Sequence, residues 1–491
     1  MDRIRRLLGS SPPPPPTRAE RIETDDVYPI YKADQSKQLR ELLMIWTLKF
    51  NDVLDPGLLQ TSLTELLEIG DWRKLGGRFR QKDDGDLEIH VPRTFSKERP
   101  ALEYFHSSFP SVIEEHPTAK QIPPLPDHPC LFPFPDYTGF ADYPGAPESL
   151  EDYLCKDTPI VSLHVLSFQN ATLVVLRYSH MLMDAMAQSA FLRAWCLVLS
   201  GNASQVPKLL GARGDVVAEI VSESASKMAS QEEFILGKRQ LKGWKMFLFG
   251  LHSIWDSLWN PPSVTKIIFF PKSAIDKLRE RAQNDLVSLF PNKEPPFLSD
   301  GDILSAWFGQ TVAQSLTASR PITLLQTTNL RFRFPVLKGG SYMQNMTMPV
   351  WSTLPEPLSL GNIALKHRND LIEQTAEPQA LAVLDAFAKG TPSVCAPTNS
   401  LIAIITNWRK ADFFNVARFE AAVTAVGDTS PGRKNPPGTI VFNNAYVPPS
   451  GPTFANVFAV LGKDLEGNYW AQSVLLPSAW PTFEQALREL A

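Results

Sequence analysis

Cysteine is scarce in this chain, and what little there is argues against two large function classes. The 4 cysteines, Cys130, Cys155, Cys196 and Cys395, are widely scattered. No Cys-x-x-Cys pair and no cysteine–histidine cluster occurs, so neither a disulfide framework nor a zinc site is indicated, and no metal is expected. A charge bias is missing too: 48 basic residues against 52 acidic ones give a net charge of -4. Nucleic-acid binding calls for a basic field, so no nucleic-acid partner is expected. No apolar run approaches the length of a membrane span. The opening MDRIRRLLGSSPPPPP lacks the apolar core and small-residue cleavage site of a secretory signal. A reducing, cytoplasmic setting is therefore expected, in which the sequons at Asn170 and Asn345 stay bare.

What is present describes a folded protein. With 43% hydrophobic and 20% charged residues in a chain of 491, one ordinary core is too small. The length points to about two to four domains. Proline is plentiful, at 43 residues. Pro12 to Pro16 read as a disordered leader or as a ligand for a proline-binding module. PPLPDHPCLFPFPDY (123 to 137), NPP (260 to 262), KEPP (293 to 296) and NPPG (435 to 438) read as ordered loops. The organisation expected is a leader over 1–20, a first α/β unit over 21–204, a crossover over 205–262 and a second α/β unit over 263–491.

Local patterns fill in these units. RELLMIWTLKF (40 to 50) predicts a strand, followed by a helix capped by Asp55 and started by Pro56, ending near Gly70. LGGRFRQKDDGDLEIHVP predicts a hairpin turning at Asp84-Gly85. Strands PIVSLHVLSFQN and ATLVVLRYSH flank Asn170. In the second unit a helix with Ser273 as N-cap and another opened by Ser299 or Asp300 are expected. Strands PITLLQTTNLRFRF, MTMPVWSTL, SLIAIITNW, GTIVFNNAYV and FANVFAVLGKD follow, with a helix IALKHRNDLIEQ among them and a C-terminal helix from TFEQALREL.

The spacing His-x-x-x-Asp occurs twice, at His180/Asp184 and His252/Asp256. With 8 histidines and ordinary aspartate usage of roughly one in twenty, chance alone can produce it. Context separates the two. His180 follows an apolar β-branched run and precedes a strong helix pattern, so it sits in a strand-to-helix turn, where rigid elements hold reactive side chains. His252 lies in the aromatic segment KMFLFGLHSIWDSLW, where His252 and Asp256 share a helix face at (i, i+4) spacing. That segment reads as a crossover helix packed on the body or as an interfacial membrane helix.

Several segments recur in an order that carries a resemblance. Leu63-x-x-Leu66-Leu67 precedes Leu75-Gly76-Gly77-Arg78. SHMLMDA follows at 179–185, then SDGDILSAW at 299–307, NLRFRFPVLKGGSYMQN at 329–345 and Thr406-Asn407-Trp408. Together they resemble the BAHD-type acyltransferases, especially fungal relatives acting on secondary metabolites. There are departures. Ala185 stands where the family's active-site motif has glycine. The late Asp-Phe-Gly-Trp-Gly motif would fall at Arg418 to Ala422, where only Phe419 remains.

The resemblance implies an α/β fold of two chloramphenicol-acetyltransferase-like domains, mixed sheets with flanking helices, and an active site in the cleft between them. It implies transfer of an acyl group, most simply acetyl, from acyl-CoA as co-substrate to a hydroxyl of a specialised metabolite, by a monomer without a tightly bound cofactor. Terpenoid and polyketide-derived acceptors are both open. It implies that His180 acts directly on the acceptor, and no Gly-x-Ser-x-Gly elbow competes with that reading. A neutral imidazole suits proton removal at cytosolic pH. Asp184, the second catalytic residue of the motif, could orient the imidazole as in a triad; the resemblance instead implies that it points away and pairs with Arg331, or secondly Arg333. Thr406 or Trp408 could donate to the developing oxyanion, and Asn345 is a weaker site residue. Two alternatives stay open: a condensation-domain relative using a carrier-bound thioester, against which Ser179 replaces the usual second histidine, and a non-catalytic binding member of the fold.

Overall fold

The computed structural model describes residues 17–134, 136–291, 293–355, 358–389, 394–448 and 455–491. Residues 1–16, most of the proline-rich leader, lie outside the described residues. Two large sheets carry the fold. Their strands are β1 (Leu43–Phe50), β2 (Glu103–Ser108), β3 (Cys130–Pro133), β4 (Ser162–Ser167), β5 (Thr172–Ser179), β6 (Val264–Phe270), β7 (Ile322–Asn329), β8 (Thr347–Thr353), β9 (Leu401–Asn407), β10 (Ile440–Tyr446), β11 (Val457–Lys463) and β12 (Tyr469–Leu475). The principal helices are α1 (Pro56–Leu66), α2 (Ala185–Leu199), α3 (Trp244–Trp259), α4 (Lys272–Leu289), α5 (Asp300–Ser315), α6 (Leu360–Gln374), α7 (Glu377–Ala388) and α8 (Trp480–Arg488).

The five-stranded sheet runs β10-β1-β5-β4-β2, and the seven-stranded sheet β8-β7-β9-β11-β12-β6-β3. Each half of the chain thus lends a strand to the other's sheet: β3 is an edge of the larger sheet and β10 an edge of the smaller. A side-chain relay joins the two. Trp46 Nε1 on β1 donates to Asn443 Oδ1 on β10 (2.6 Å), and Asn443 Nδ2 donates to Leu461 O on β11 (3.2 Å).

The centre of the smaller sheet is set by continuous apolar runs. All eight residues of β5, TLVVLRYS, are buried, and β1 is buried except at Lys49. Such runs cannot alternate between core and water, so the strands are covered on both faces. They pair antiparallel from Leu43↔Ser179 to Phe50↔Thr172, which leaves the chain after Ser179 emerging at the edge of that layer.

Several local expectations are met. Asp55 caps α1 by accepting from Gly57 N and Leu58 N, with Pro56 in the first turn. Ser299 and Asp302 form a capping box on α5. The hairpin turns with Gly85 at φ 84, a conformation that L side chains resist. Others are corrected. α4 begins at Lys272 behind Pro271, so Ser273 is inside the helix rather than its cap. The strand read as running to Phe334 stops at Asn329, whose side chain accepts from Arg331 N and turns the chain into a 3-10 segment, Leu330–Phe332. α7 and β12 were not foreseen. α3 is a helix tethered to the body through His252 and Asp256, with none of its residues fully buried.

The loop that brings β10 across to the smaller sheet is held by one buried carboxylate. Asp52, with no exposed surface, accepts from Arg433 Nη1 and Nη2 (both 2.7 Å) and from Gly438 N (2.8 Å). Removing the guanidinium leaves a buried charge with one donor. Arg433→Ala is expected to cost about 3–5 kcal/mol, read as a lower urea midpoint at unchanged m-value. A loss below about 1 kcal/mol would mean the pair behaves as a solvated one.

Candidate active site

The turn after β5 is fixed from both sides. His180 N donates to Leu42 O (2.9 Å), and Leu182 N donates back to Ser179 O (3.0 Å). Met181, Leu182 and Met183 are buried and plug the turn into the core. Asp184 then caps α2, its Oδ1 accepting from Ala187 N (2.9 Å). Ala185 opens the helix and is not among the residues with positive φ, so its methyl group replaces glycine without backbone strain.

Asp184 faces away from the imidazole. Its Oδ2 accepts from Arg331 Nη1 (2.7 Å) and from Met346 N (3.0 Å). Arg331 Nη2 in turn donates to Tyr342 O (3.2 Å) and Gln344 O (2.7 Å). Both partners are buried. The pair ties the turn on the first half of the chain to the 329–346 segment of the second. Arg331, of the two arginines considered, is the partner; Arg333 instead lines the cleft.

His180 is half-buried. Its Nδ1 is enclosed without a hydrogen-bond partner, which leaves Nε2 as the nitrogen able to meet a ligand. Burial pushes its pKa below the ordinary histidine value, opposed by hydrogen bonding and by the Asp184 charge. The ring is therefore held neutral. Its backbone is held as well: Asn345 Nδ2 donates to His180 O (2.9 Å). Asn345 is fixed by Asp34, whose Oδ1 accepts from Asn345 N (2.7 Å) and Nδ2 (3.0 Å). Burial raises the Asp34 pKa to about 6, against the opposing charge of Lys74.

A cavity of about 980 Å³ opens between the two sheets, and His180, Asp184, Asn345, Thr406 and Trp408 all line it. Thr406 and Trp408 arrive together because β9 lies parallel to β7 and β11 and delivers Thr406 beside Thr327, near its carboxyl end. Crevices at that end of parallel strands are favoured ligand positions. Trp408 Nε1 donates to Thr406 Oγ1 (2.9 Å). The indole donor is thus taken, and the threonine hydroxyl proton is the one free to donate elsewhere.

The same cavity holds a cationic corner. Arg333, Arg409 and Lys410 line it, and none has a salt-bridge partner among the described residues. Burial lowers the pKa of Lys410, and repulsion from Arg333 and Arg409 adds to it. Arg333 Nε is buried and unpaired. Lys410 Nζ sits 4.1 Å over the Phe332 ring, and Asp300, which feels the Arg409 charge, is paired with Arg279. Like charges gathered without an acid in contact are costly unless an anion neutralises them. No group of three or more His, Cys, Asp or Glu residues able to hold a metal occurs among the described residues.

Five of the residues singled out by sequence thus share one cavity, with Arg331 behind them. The second motif does not join them. His252 Nδ1 bonds Thr398 O (3.0 Å), and Asp256 pairs with Arg320. Phe419, the residue kept from the late family motif, is buried against Phe50 and Trp195 at ring distances of 4.9 and 5.0 Å, and is not among the cavity residues. Sequence reasoning missed Asp34 and the cationic corner. Asp34 is 311 positions from Asn345, and no local signal links them.

No family model matches the chain. Curated relatives match it along nearly its whole length. The acetyltransferase pyiB of Pyricularia grisea is 34% identical over 485 residues, covering 95% of this chain and 94% of the relative. The O-acetyltransferase PaAT-2 of Phomopsis amygdali is 31% identical over 488 residues, covering 96% and 99%. Among solved structures, TRI101 of F. sporotrichioides, in complex with coenzyme A and T-2, aligns at TM-score 0.60 and 15% identity over 93% of this chain and 96% of that one. Vinorine synthase aligns at TM-score 0.56 and 13% identity, covering 96% and 95%. The fold is the one those acyltransferases share, and the chain belongs to the BAHD-type acyltransferase family, among its fungal acetyltransferases.

Proposed function

We propose that this acyltransferase moves an acyl group, most simply acetyl, from acyl-CoA to a hydroxyl of a lipophilic specialised metabolite, with His180 as general base. The observation that carries the reading is one imidazole, neutral, with Nδ1 enclosed, in a cavity that also holds a free threonine hydroxyl and an unpaired cationic corner. The acceptor hydroxyl donates its hydrogen bond to His180 Nε2. As its oxygen attacks the thioester carbonyl, the proton passes to Nε2, and the carbonyl oxygen becomes an oxyanion. Thr406 Oγ–H donates to that oxygen, held in line by Trp408. Collapse breaks the C–S bond, and the leaving thiolate takes the proton back from the imidazolium. No acyl-enzyme forms and the atoms balance.

Asp184 and Arg331 position the turn and do not touch the reactants. Asn345 fixes the His180 backbone. Arg333, Arg409 and Lys410 receive the CoA phosphates, since phosphates would neutralise a corner whose cations have no salt-bridge partner. Met44, Met183 and Leu39 give the cavity an apolar side that suits a terpenoid or polyketide-derived acceptor. TRI101 has been crystallised with the small-molecule acceptors T-2 and deoxynivalenol, which supports a compact hydroxylated acceptor here. A monomer in the cytoplasm is sufficient, because both sides of the cleft come from one chain and the four cysteines stand as free thiols.

His180→Ala removes the base and is expected to lower turnover about 10²–10⁴-fold with an unchanged circular dichroism spectrum; near-normal acyl transfer by this variant defeats the assignment. The pH profile follows from the sign of the shift. A depressed pKa keeps the base neutral to lower pH, so kcat/KM is flat through neutrality and falls only below the ordinary histidine value of 6.5. An acid limb centred above that value contradicts a buried, neutral imidazole. Lys410→Ala is expected to raise KM for the acyl donor about tenfold while kcat stays within about twofold. A loss confined to kcat would place Lys410 at the reaction instead.

A further inference from the structure

The crossover between the two halves carries α3, WKMFLFGLHSIWDSLW, a helix with no fully buried residue. A surface helix normally turns its apolar stripe inward. Here, of the large apolar side chains, only Met246, Leu248 and Phe249 are half-buried, and the bonds to the body come from His252 and Asp256. His252 Nδ1 donates to Thr398 O (3.0 Å), and both carboxylate oxygens of Asp256 accept from Arg320, Nη1 at 3.1 Å and Nη2 at 2.8 Å. Just before the helix, Leu241 N donates to Val394 O (2.8 Å). These bonds fix the rotation of the helix. Trp244, Phe247, Leu251, Trp255, Leu258 and Trp259 then face solvent, each between 46% and 75% exposed. Their spacing, mostly three and four residues, puts them on one stripe about 120° wide at 3.6 residues per turn. Water contact for such an aromatic stripe is expensive, and contiguous exposed apolar patches of this kind mark interaction surfaces.

The composition of the stripe and its surroundings selects the partner. Trp settles at a lipid headgroup boundary, and Trp, Phe and Leu make up the apolar face of helices that lie there. Lys242 and Lys245 flank the start of the stripe, both exposed, with no acidic partner among the described residues. Lys238 lies just before them, while Arg239 is held by Asp370 and Glu373. The only acid of the helix, Asp256, is already paired with Arg320. The face is therefore apolar and cationic, in a chain whose net charge is -4. A second copy docking face to face would offer these lysines no free acid, because a two-fold interface pairs the same patch with itself and the only acid of the helix is held by Arg320. An anionic lipid surface meets both features at once. The helix is too short and too polar on one side to cross a bilayer, and no described helix is long and apolar enough to do so.

We propose that α3 is an interfacial anchor that lays its Trp244–Trp259 stripe into the headgroup region of an anionic membrane, with Lys242 and Lys245 on lipid phosphates and carboxylates. The inference rests on the helix alone and is independent of the acyl-transfer reading. The test is co-sedimentation of the full chain with phosphatidylcholine vesicles with and without about 30% phosphatidylserine, alongside light scattering of the free protein. The chain should pellet with the anionic vesicles. Trp255→Glu/Leu258→Glu should lower the bound fraction roughly tenfold or more with an unchanged thermal midpoint, since both side chains are exposed. Lys242→Glu/Lys245→Glu should weaken binding to anionic vesicles selectively. The proposal is overturned if the chain stays in the supernatant with anionic vesicles, or if the Trp255/Leu258 variant binds as well as the parent. It is equally overturned if light scattering finds a dimer that this variant breaks, without vesicle binding, which would assign the stripe to a second copy.

Discussion

The buried pair between Asp184 and Arg331 is the constraint on which the geometry of the cleft depends. One carboxylate does three things: it caps α2, accepts Met346 N from the far half and holds a guanidinium. The guanidinium then collects two carbonyls, from Tyr342 and Gln344. A buried ion pair is a poor source of net stability, because desolvation offsets most of the Coulomb gain. Its value lies in direction. Every donor and acceptor in the network has one satisfactory arrangement, and in that arrangement the turn carrying His180 and the segment carrying Asn345 are held at a fixed separation. Met346 and Met348, buried beside this segment, fill the space that a looser arrangement would have to reopen.

Charge in the cleft is arranged around the same logic. The carboxylate nearest His180 is committed to an arginine, so it lifts the imidazole pKa only against the larger effect of burial. A triad arrangement would have favoured the protonated ring; this one favours the free base. At the other side, three cations share space with no acid in salt-bridge contact. Their mutual repulsion is a cost that a bound anion would relieve.

How much of this was legible in the sequence depends on distance along the chain. The strand-to-helix turn at His180 was readable because an apolar run of β-branched residues stops and a helical pattern starts within a few residues. The capping roles of Asp55 and Ser299 were readable for the same reason. Arg331 was readable only through resemblance, and the local pattern misled: alternation through NLRFRF suggests a strand, whereas Asn329 captures Arg331 N and turns the chain inward. Side-chain competition for backbone donors decides such points, and periodicity does not register it. Asp34 and Lys74 were invisible, since neither sits in a motif and their partners are remote. The same holds for α3: its amphipathic pattern was plain, but which face would meet the body depended on Arg320 and Thr398, more than sixty residues downstream.

The exchange of edge strands has a consequence for how substrates reach the cleft. If the two halves were separate bodies joined by a crossover, a hinge at the crossover could open the cavity wide. Here β3 is hydrogen-bonded into the larger sheet beside β6, and β10 into the smaller beside β1. Separating the halves would strip one edge from each sheet and break the Trp46–Asn443–Leu461 relay as well as the Asp52–Arg433 clamp. Each of those is buried or nearly so, and their simultaneous loss amounts to unfolding rather than to a gating motion. Substrates therefore enter a cavity whose walls stay put, and selectivity is left to side chains that line it. A rigid cavity also needs the turn that carries His180 placed correctly from the outset. That requirement is met by using a buried ion pair, which fixes direction, where an apolar contact would fix only proximity.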